Sequence, residues 1–223
     1  MNILIIGDEG NFIECQHKFG EAHSYTLTHN QRDGALLFEQ HELVFDFCID
    51  KDHSQMEVYR NHHGIIAFLN TTKVSLAKLA TSTNLDINCS LFGFAGLLTF
   101  LNRPVLETSL FNKDHKSKLE GICKKLNTEF QIVEDRVGLV TPRVICMIIN
   151  EAYYTVEEGT ATREDIDLAM KLGTNYPSGP FEWAQKIGVR NVYEVLSAVY
   201  EDTKDERYKI CSLLRKESLF HSN

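Results

Sequence analysis

The sequence lacks the features that mark membrane, secreted and metal-binding proteins. No apolar run approaches the roughly 18–20 residues that a membrane-spanning helix needs, and no signal-peptide pattern is present. The six cysteines are scattered and none forms a C-x-x-C pair, as is typical of reduced, buried thiols. We therefore expect a cytoplasmic protein. His62 and His63 are the only adjacent histidines, and because neighbouring side chains diverge, no metal site is predicted.

The sequence is also short of positive charge and of nucleotide or nucleophile motifs. It has 23 lysines and arginines against 31 acidic residues, a net charge of −8, which argues against nucleic acid as a partner. Phosphate-loop and serine-nucleophile patterns, repeats and low-complexity stretches are absent. With 223 residues, 43% of them hydrophobic, the chain can form one large or two small domains with real cores.

The strongest local signals lie in the stretch NEAYYTVEEGTATREDIDLAMKLGTNYPSGPF, residues 150–181. Thr162 is a candidate N-cap, and acidic residues follow it in the first turn, where the helix dipole favours them. Apolar residues then recur at helical spacing. We predict a helix over Arg163–Leu172 that ends with Gly173 in the left-handed conformation.

The Tyr-Pro-Ser-Gly-Pro sequence that follows cannot continue this helix. Gly179 allows another backbone to approach closely, Pro180 suits the first position of a new helix, and Gly188 is expected to end it. Further helices are predicted over Val144–Glu157, from Asn191 onward with Glu194 at capping-box spacing, and over Asp205–Glu217.

The pattern NEA…EEG…EDIDLAMKLGTNYPSGPFE resembles the C-terminal domain signature of the L-3-hydroxyacyl-CoA dehydrogenase family over residues 138–199. The N-terminal part resembles the family's dinucleotide-binding domain less closely. The resemblance implies an α/β plus all-α fold: a truncated Rossmann-like parallel sheet domain over residues 1–135, then an all-helical domain over 136–223. It also implies NAD as cofactor, an acyl-CoA substrate, a role in fatty acid metabolism and a homodimer through the helical domain.

The N-terminal segment Met1–Gly7, MNILIIG, is a continuous apolar run that predicts a buried first strand of a parallel sheet. In a dinucleotide-binding domain the loop G-x-G-x-x-G would follow. Only Gly7 is in register here, because Glu9 and Phe12 stand at the second and third glycine positions. Asp8 and Glu9 place negative charge where the pyrophosphate should bind, so we predict a strand–turn–helix with a weakened nucleotide site.

Four residues, Gly7, Asn30, Asp50 and Asn70, are candidates for holding the implied cofactor. Besides Gly7, Asn30 stands at the end of the second strand, where an acidic residue binds ribose hydroxyls in this fold. Asp46 and Asp50 take the family's acidic positions after the third strand, the second of them near the nicotinamide, although both could equally be solvated acids. Asn70 opens a sequence similar to the family's Asn-Thr-Ser-Ser at a strand end, and the same residues could instead form an ordinary capped loop.

Glu107 is the candidate catalytic residue. It fits the place of the glutamate that orients the family's general base, a histidine twelve residues earlier. That earlier position holds Ala95, and no histidine occurs between His63 and His115. A substrate-binding asparagine of the family falls at Pro142.

Three functions follow from these observations. The first is an acting 3-hydroxyacyl-CoA dehydrogenase with an undetected replacement base. The second is a non-catalytic relative that binds an acyl-CoA, a nucleotide or another protein. The third is a different reaction in the same cleft, using Glu107, Asp50 or Asn70. Departures at four chemical positions, with packing and capping positions kept, favour the second.

Overall fold

A seven-stranded sheet organises the first of two compact units, Met1–Leu139; the second is Val140–Asn223. The structure is a computed structural model that describes residues 1–60, 62, 64–81 and 89–220. The strands are β1 (Asn2–Ile6), β2 (Ser24–Thr28), β3 (Leu43–Asp46), β4 (Ile66–Asn70), β5 (Ser90–Phe94), β6 (Val105–Leu110) and β7 (Glu129–Ile132). Their order is β2-β1-β3-β4-β5-β6-β7, with only the β5–β6 pair antiparallel among the described strands.

Strand side chains alternate between two buried cores, one on each face of the sheet. The helices of this unit are α1 (Glu9–Phe19), α2 (Gln31–Ala35), α3 (Glu57–Arg60), α4 (Leu76–Thr81) and α5 (Lys116–Lys125). α1 and α5 cover a face lined with phenylalanines, where the rings of Phe45 and Phe68 stack with centroids 4.9 Å apart. α2, α3 and α4 cover the other face. Burial on both faces explains why the strands are continuous apolar runs.

Five helices make up the second unit as far as the structure describes it, to residue 220. They are α6 (Thr141–Glu157), α7 (Arg163–Thr174), α8 (Pro180–Ile187), α9 (Val189–Thr203) and α10 (Ser212–Phe220). α6, α8 and α9 each bury an apolar stripe, whereas α7 has no buried residue. Pro142 lies in the first turn of α6, where its missing N–H costs little. The predicted fold class, a mostly parallel sheet followed by a helical domain, is confirmed.

Several predicted helix ends are wrong by a few residues. α7 continues past Gly173, and Asn175 takes the left-handed conformation with φ 56°. α9 begins at Val189 rather than near Asn191, because Gly188, with φ 91°, both ends α8 and precedes α9. The predicted helix over 205–217 is two elements, a 3-10 turn at Glu206–Tyr208 and then α10.

The close approach at Gly179 is made by a side chain rather than by another backbone. A Cβ on Gly179 would collide with the carboxylate of Asp167 from α7. That carboxylate accepts hydrogen bonds from Phe181 N at 2.8 Å and Glu182 N at 3.1 Å, so it caps the start of α8. The Ser-Gly-Pro turn therefore fixes α8 against α7.

None of the described helices combines the length and apolarity required to cross a membrane. Within the described ranges, no three His, Cys, Asp or Glu side chains gather as a metal site. His63, one of the adjacent histidines considered above, lies outside those ranges.

Candidate functional site

The turn between β1 and α1 is closed by its own side chains. The Asp8 carboxylate accepts a hydrogen bond from Asn11 N at 3.0 Å, and Asn11 Oδ1 accepts one from Asp8 N at 3.0 Å. This reciprocal capping box satisfies N–H groups that an anion would otherwise bind at the start of the helix. Glu9, the first residue of α1, adds a second negative charge there.

Gly7, the one glycine of the loop pattern in register, is crowded by the same cap. A Cβ on Gly7 would meet Asn11 Oδ1 at 2.6 Å, so the missing side chain makes room for the asparagine rather than for a ligand. A pyrophosphate needs bare backbone N–H groups and a positive helix end, whereas this turn presents carboxylates. The residues of the turn therefore do not fit the pyrophosphate of NAD. That Gly7 contacts a cofactor stays a prediction.

Asn30, the candidate ribose contact, is the N-cap of α2. Its Oδ1 accepts from Asp33 N at 2.9 Å, and its Nδ2 donates to Asp33 Oδ2 at 2.8 Å. Both ends of the amide are thus engaged within the chain. The residue nevertheless lies on the lining of an open cavity of about 570 Å³ at the ends of β2 and β3.

Asp46, the last residue of β3, is fully buried and accepts four hydrogen bonds. Gln31 Nε2, Cys48 N and Ile49 N donate to its Oδ1 at 3.1, 2.8 and 3.0 Å, and the Tyr59 hydroxyl donates to its Oδ2 at 2.8 Å. Burial raises the pKa of the Asp46 carboxyl to about 6, although these hydrogen bonds lower it in part. Asp46 is therefore a structural centre that fixes the turn after β3, and its interpretation as a solvated acid is wrong.

Asp50, the second acidic position, is also buried, which contradicts the same interpretation. Its carboxylate lies 3.7 Å from the ammonium group of Lys73. Asp50 follows β3 and Lys73 follows β4, at the edge of the sheet where open parallel sheets bind ligands. A buried ion pair of this kind holds two neighbouring loops together. That Asp50 contacts a cofactor stays a prediction.

Asn70, at the end of β4, is 1% exposed and joins three strand ends. Its Oδ1 accepts from the Thr72 hydroxyl at 2.6 Å, from Thr72 N at 3.2 Å and from Gly96 N at 3.1 Å. Its Nδ2 donates to Phe47 O at 3.3 Å. The amide thus ties the loop after β4 to the loops after β3 and β5. Its groups are used within the fold, which supports the interpretation as a capped loop more than that as a ligand contact.

Glu107, the candidate catalytic residue, lies half-buried on β6. The β5–β6 ladder pairs Phe94 with Thr108, so Glu107 precedes the last paired residue of β6 and Ala95 follows the end of β5. Ala95 is buried, and its methyl group stands where the resemblance requires a base. Burial lowers the pKa of Arg103, and the charge of Glu107 partly offsets this.

Residues 138–219 match the family model described as 3-hydroxyacyl-CoA dehydrogenase, C-terminal domain. The helical unit is therefore of the 3-hydroxyacyl-CoA dehydrogenase C-terminal type. It is 40% identical over 90 residues to 3-hydroxyadipyl-CoA dehydrogenase of Escherichia coli K12, covering 40% of this chain and 19% of that protein. It is 27% identical over 184 residues to 3-hydroxybutyryl-CoA dehydrogenase of Bradyrhizobium diazoefficiens, covering 78% of this chain and 62% of that protein.

The chain thus spans less than two thirds of the length of either of these relatives. The crystal structure of M. tuberculosis FadB2 superposes with a TM-score of 0.78, covering 98% of this chain and 93% of that one. Its sequence identity is 16%, so this likeness supports the fold alone.

The structure gathers only some of the predicted site residues. Asn70 accepts a hydrogen bond from Gly96 N, next to Ala95, so these residues share one corner of the sheet edge, and Glu107 lies one residue before Thr108, where β6 pairs with β5. The Asp46 network was missed because its partners, Gln31 and Tyr59, are 15 and 13 residues distant in the chain. The feature of the sequence that could have indicated this network is an aspartate at the end of a buried strand.

Proposed function

We propose that this chain is a member of the 3-hydroxyacyl-CoA dehydrogenase family in which the family's reaction is lost or strongly impaired. That reaction is the NAD-dependent oxidation of L-3-hydroxyacyl-CoA to 3-oxoacyl-CoA in fatty acid metabolism. The capping box of Asp8 and Asn11 carries the proposal, because it fills the helix start with the chain's own carboxylate. A bound pyrophosphate would have to displace that cap and approach Glu9 against charge repulsion.

The residues at the family's proton-transfer positions support the same proposal independently of the turn at Asp8. A general base contributes roughly 10²–10⁴ in rate, and the methyl group of Ala95 cannot accept a proton. Glu107 would orient a base, and the position at which the resemblance places that base holds Ala95. Asn70 makes four hydrogen bonds within the fold, so its amide has little capacity left for a substrate. Binding of an acyl-CoA without oxidation is compatible with all three observations.

The proposal is tested by titrating the protein with NADH while its fluorescence is recorded, and by following absorbance at 340 nm with a 3-oxoacyl-CoA. We expect no saturable NADH binding and no turnover, with an active 3-hydroxybutyryl-CoA dehydrogenase as the positive control. Turnover that falls in the Glu107→Gln variant would establish an acting dehydrogenase and reject the proposal. Glu129→Gln, a change of an exposed glutamate on β7, serves as the matched control.

We propose further that the helical unit forms a homodimer. α7 is a twelve-residue helix with no buried residue. Leu168 and Leu172, four residues apart and therefore on one face, are 54% and 78% exposed. Exposed leucines at this spacing are typical of a helix that packs against a partner. A second copy of the same unit supplies an apolar face of the same kind, as symmetric dimers require.

The dimer is tested by size-exclusion chromatography with light scattering. The chain has a mass of 25.5 kDa, so we expect a particle of twice that mass. Leu172→Glu should shift it to the monomer, because a carboxylate would be buried in the interface without a partner. Leu36→Glu is the matched control, since Leu36 is 79% exposed but lies in the sheet unit. A monomeric unmodified protein would reject the dimer.

A further inference from the structure

The connection between β5 and β6, residues 95–104, lies along α1, and we call it the strap. Leu98 contacts the first turn of α1, since a Cβ on Gly10 would meet Leu98 Cδ2 at 3.2 Å. Four residues farther along the helix, Glu14 Oε1 accepts a hydrogen bond from Asn102 N at 3.0 Å. Residues four apart lie on one face of a helix, so the strap follows this face of α1.

A third contact joins the strap to the last turn of α1. The ammonium group of Lys18 donates to Arg103 O and, at 3.2 Å, to Pro104 O. Lys18 is again four residues beyond Glu14, and a glutamate four residues before a lysine is the arrangement in which the two charges stabilise a helix by pairing. Among the described residues these two bond to the strap backbone instead of to each other, the carboxylate to an N–H and the ammonium to two C=O groups.

The position of Glu14 under the strap is unfavourable for its charge. The residue is 8% exposed, and its Oε2 is buried with no hydrogen-bond partner within the described ranges. Burial raises the pKa of the Glu14 carboxyl, although the hydrogen bonds from the strap backbone lower it in part. The charged carboxylate is therefore less stable under the strap than it would be in water.

The backbone of the strap is strained at Thr99. Phe100 N donates to Leu97 O at 3.1 Å, which closes a turn with Leu98 and Thr99 at its centre. Thr99 has a φ of 77°, which glycine or asparagine normally supplies in a turn and which a β-branched residue rarely adopts. Its hydroxyl oxygen is also buried and has no partner in the described part of the chain. Strain of this kind persists only where surrounding contacts hold it.

The strap is also one wall of an open cavity of about 700 Å³ within the sheet unit. Asn102, Arg103 and Pro104 line this cavity from the strap, and Cys123 and Lys124 line it from α5. It shares no lining residue with the cavity at the ends of β2 and β3. Movement of the strap therefore changes the shape of this second cavity.

We propose that the strap is a two-state latch that sets access to this cavity. In the closed state seen here it is bound to Glu14 and Lys18. In the open state these two side chains pair with each other and the face of α1 is uncovered. Both states satisfy the two charges, whereas only the closed state holds Thr99 in its strained conformation. The latch does not depend on whether the family's oxidation is lost.

Native-state hydrogen exchange of the full chain, followed residue by residue by NMR at pH 7, tests the latch. The Asn102 amide should exchange at least about a hundredfold faster than the amides of β3. Its exchange should also depend little on urea, because a local opening exposes little surface. If Asn102 and β3 show the same urea dependence, the strap opens only when the whole unit unfolds, and the proposal is overturned.

Two glycine substitutions in the same turn separate backbone strain from general loosening. Thr99→Gly relieves the strain, so exchange at Asn102 should slow at least about threefold. Leu98→Gly is the matched control at the neighbouring residue, which has no positive φ. It should speed exchange, because it removes the contact with Gly10. Faster exchange in both variants would reject the strained closed state.

The alternative pairing is tested by Glu14→Ala, Lys18→Met and the double variant. Each single change removes a bond to the strap and should speed exchange at Asn102. Because each also breaks the open-state pair, the double variant should speed exchange roughly 1.5- to 2-fold more than the product of the two single effects. A double variant that only equals the product would rule out the pairing. His17→Ala, at an exposed residue of the same helix, is the control and should leave the rate unchanged.

Cys123 reports on the cavity itself, because it lines the cavity and is 1% exposed. Its modification by iodoacetamide, located by peptide mass, should slow in Thr99→Gly and speed in Glu14→Ala, in parallel with exchange at Asn102. An unchanged rate of modification in both variants would contradict control of the cavity by the latch. None of these measurements uses NADH or an acyl-CoA, so failure of the latch and failure of the proposed function are distinguishable.

Discussion

The buried carboxyl of Asp46 should make the stability of the sheet unit depend on pH in an unusual direction. Its pKa is about 6 in the folded chain, against 3.8 for an ordinary aspartate, because burial penalises the charged form. The folded state therefore holds its proton between these two values while the unfolded state releases it. Stability from this group is complete below about pH 4 and is lost as the pH rises through 6.

The size of this effect follows from the shift in pKa. A rise of about two pKa units corresponds to about 3 kcal/mol, at 1.36 kcal/mol per unit. Asp46→Asn removes the titration and keeps the shape. The amide oxygen can still accept from Gln31 Nε2, Cys48 N and Ile49 N, and the new NH₂ group can donate to the Tyr59 hydroxyl oxygen. The variant should therefore stay folded.

Urea unfolding of the wild type and Asp46→Asn at half-unit steps from pH 4 to pH 8 measures the effect. The difference in unfolding free energy between the two proteins should change by about 3 kcal/mol, with the wild type losing stability as the pH rises. Comparing the two removes contributions from other titrating groups. Tyr59→Phe should raise the midpoint, because the Tyr59 hydrogen bond lowers this pKa. A difference that stays flat from pH 4 to pH 8 would refute the reasoning.

Two further predictions concern close packing and buried hydrogen bonds. Gly179→Ala should destabilise the chain by about 2–4 kcal/mol, because the added Cβ displaces the Asp167 carboxylate that caps α8. Gly173→Ala is the comparison: this glycine lies in open space within α7, and the change should stabilise the chain by up to about 1 kcal/mol. Thermal unfolding measures the stability of both variants, and equal changes in stability would contradict the role of Asp167 as the cap of α8. Asn70→Ala should lower the free energy of unfolding by at least about 2 kcal/mol in urea, since Gly96 N and Thr72 N lose a buried acceptor. A decrease of less than about 1 kcal/mol would contradict the role of Asn70 in joining the loops after β3, β4 and β5.

Elements with strong local causes could be predicted from the sequence. β1 is the apolar run that the sequence predicts as a strand, and Thr162 caps α7 with its hydroxyl accepting from Asp165 N at 3.2 Å. Helix ends were harder, because several residues can stop a helix. Gly173 and Asn175 can both adopt the left-handed conformation, and the Thr174 hydroxyl bonding to Met170 O extends the helix to the second.

The candidate site was predictable only where it depends on neighbours in the chain. The capped turn at Asp8 and the N-cap at Asn30 involve partners three residues away, so the spacing already indicates them. Asp50 and Lys73 belong to loops after different strands, and a sequence alone gives no reason to pair them. The expectation that Asp46 and Asp50 are solvated was wrong because it relied on the general tendency of aspartates to be exposed, whereas both are buried here.

Several polar groups at the carboxyl edge of the sheet are used by the fold itself. A ligand site needs donors and acceptors that the fold leaves unsatisfied, because each bond to a ligand must replace one to water. Asp8 bonds to its own helix, and Asn70 and Asp46 use four hydrogen bonds each to fix loops. The hydrogen bonds that hold these loops therefore leave less capacity for a ligand at the same positions.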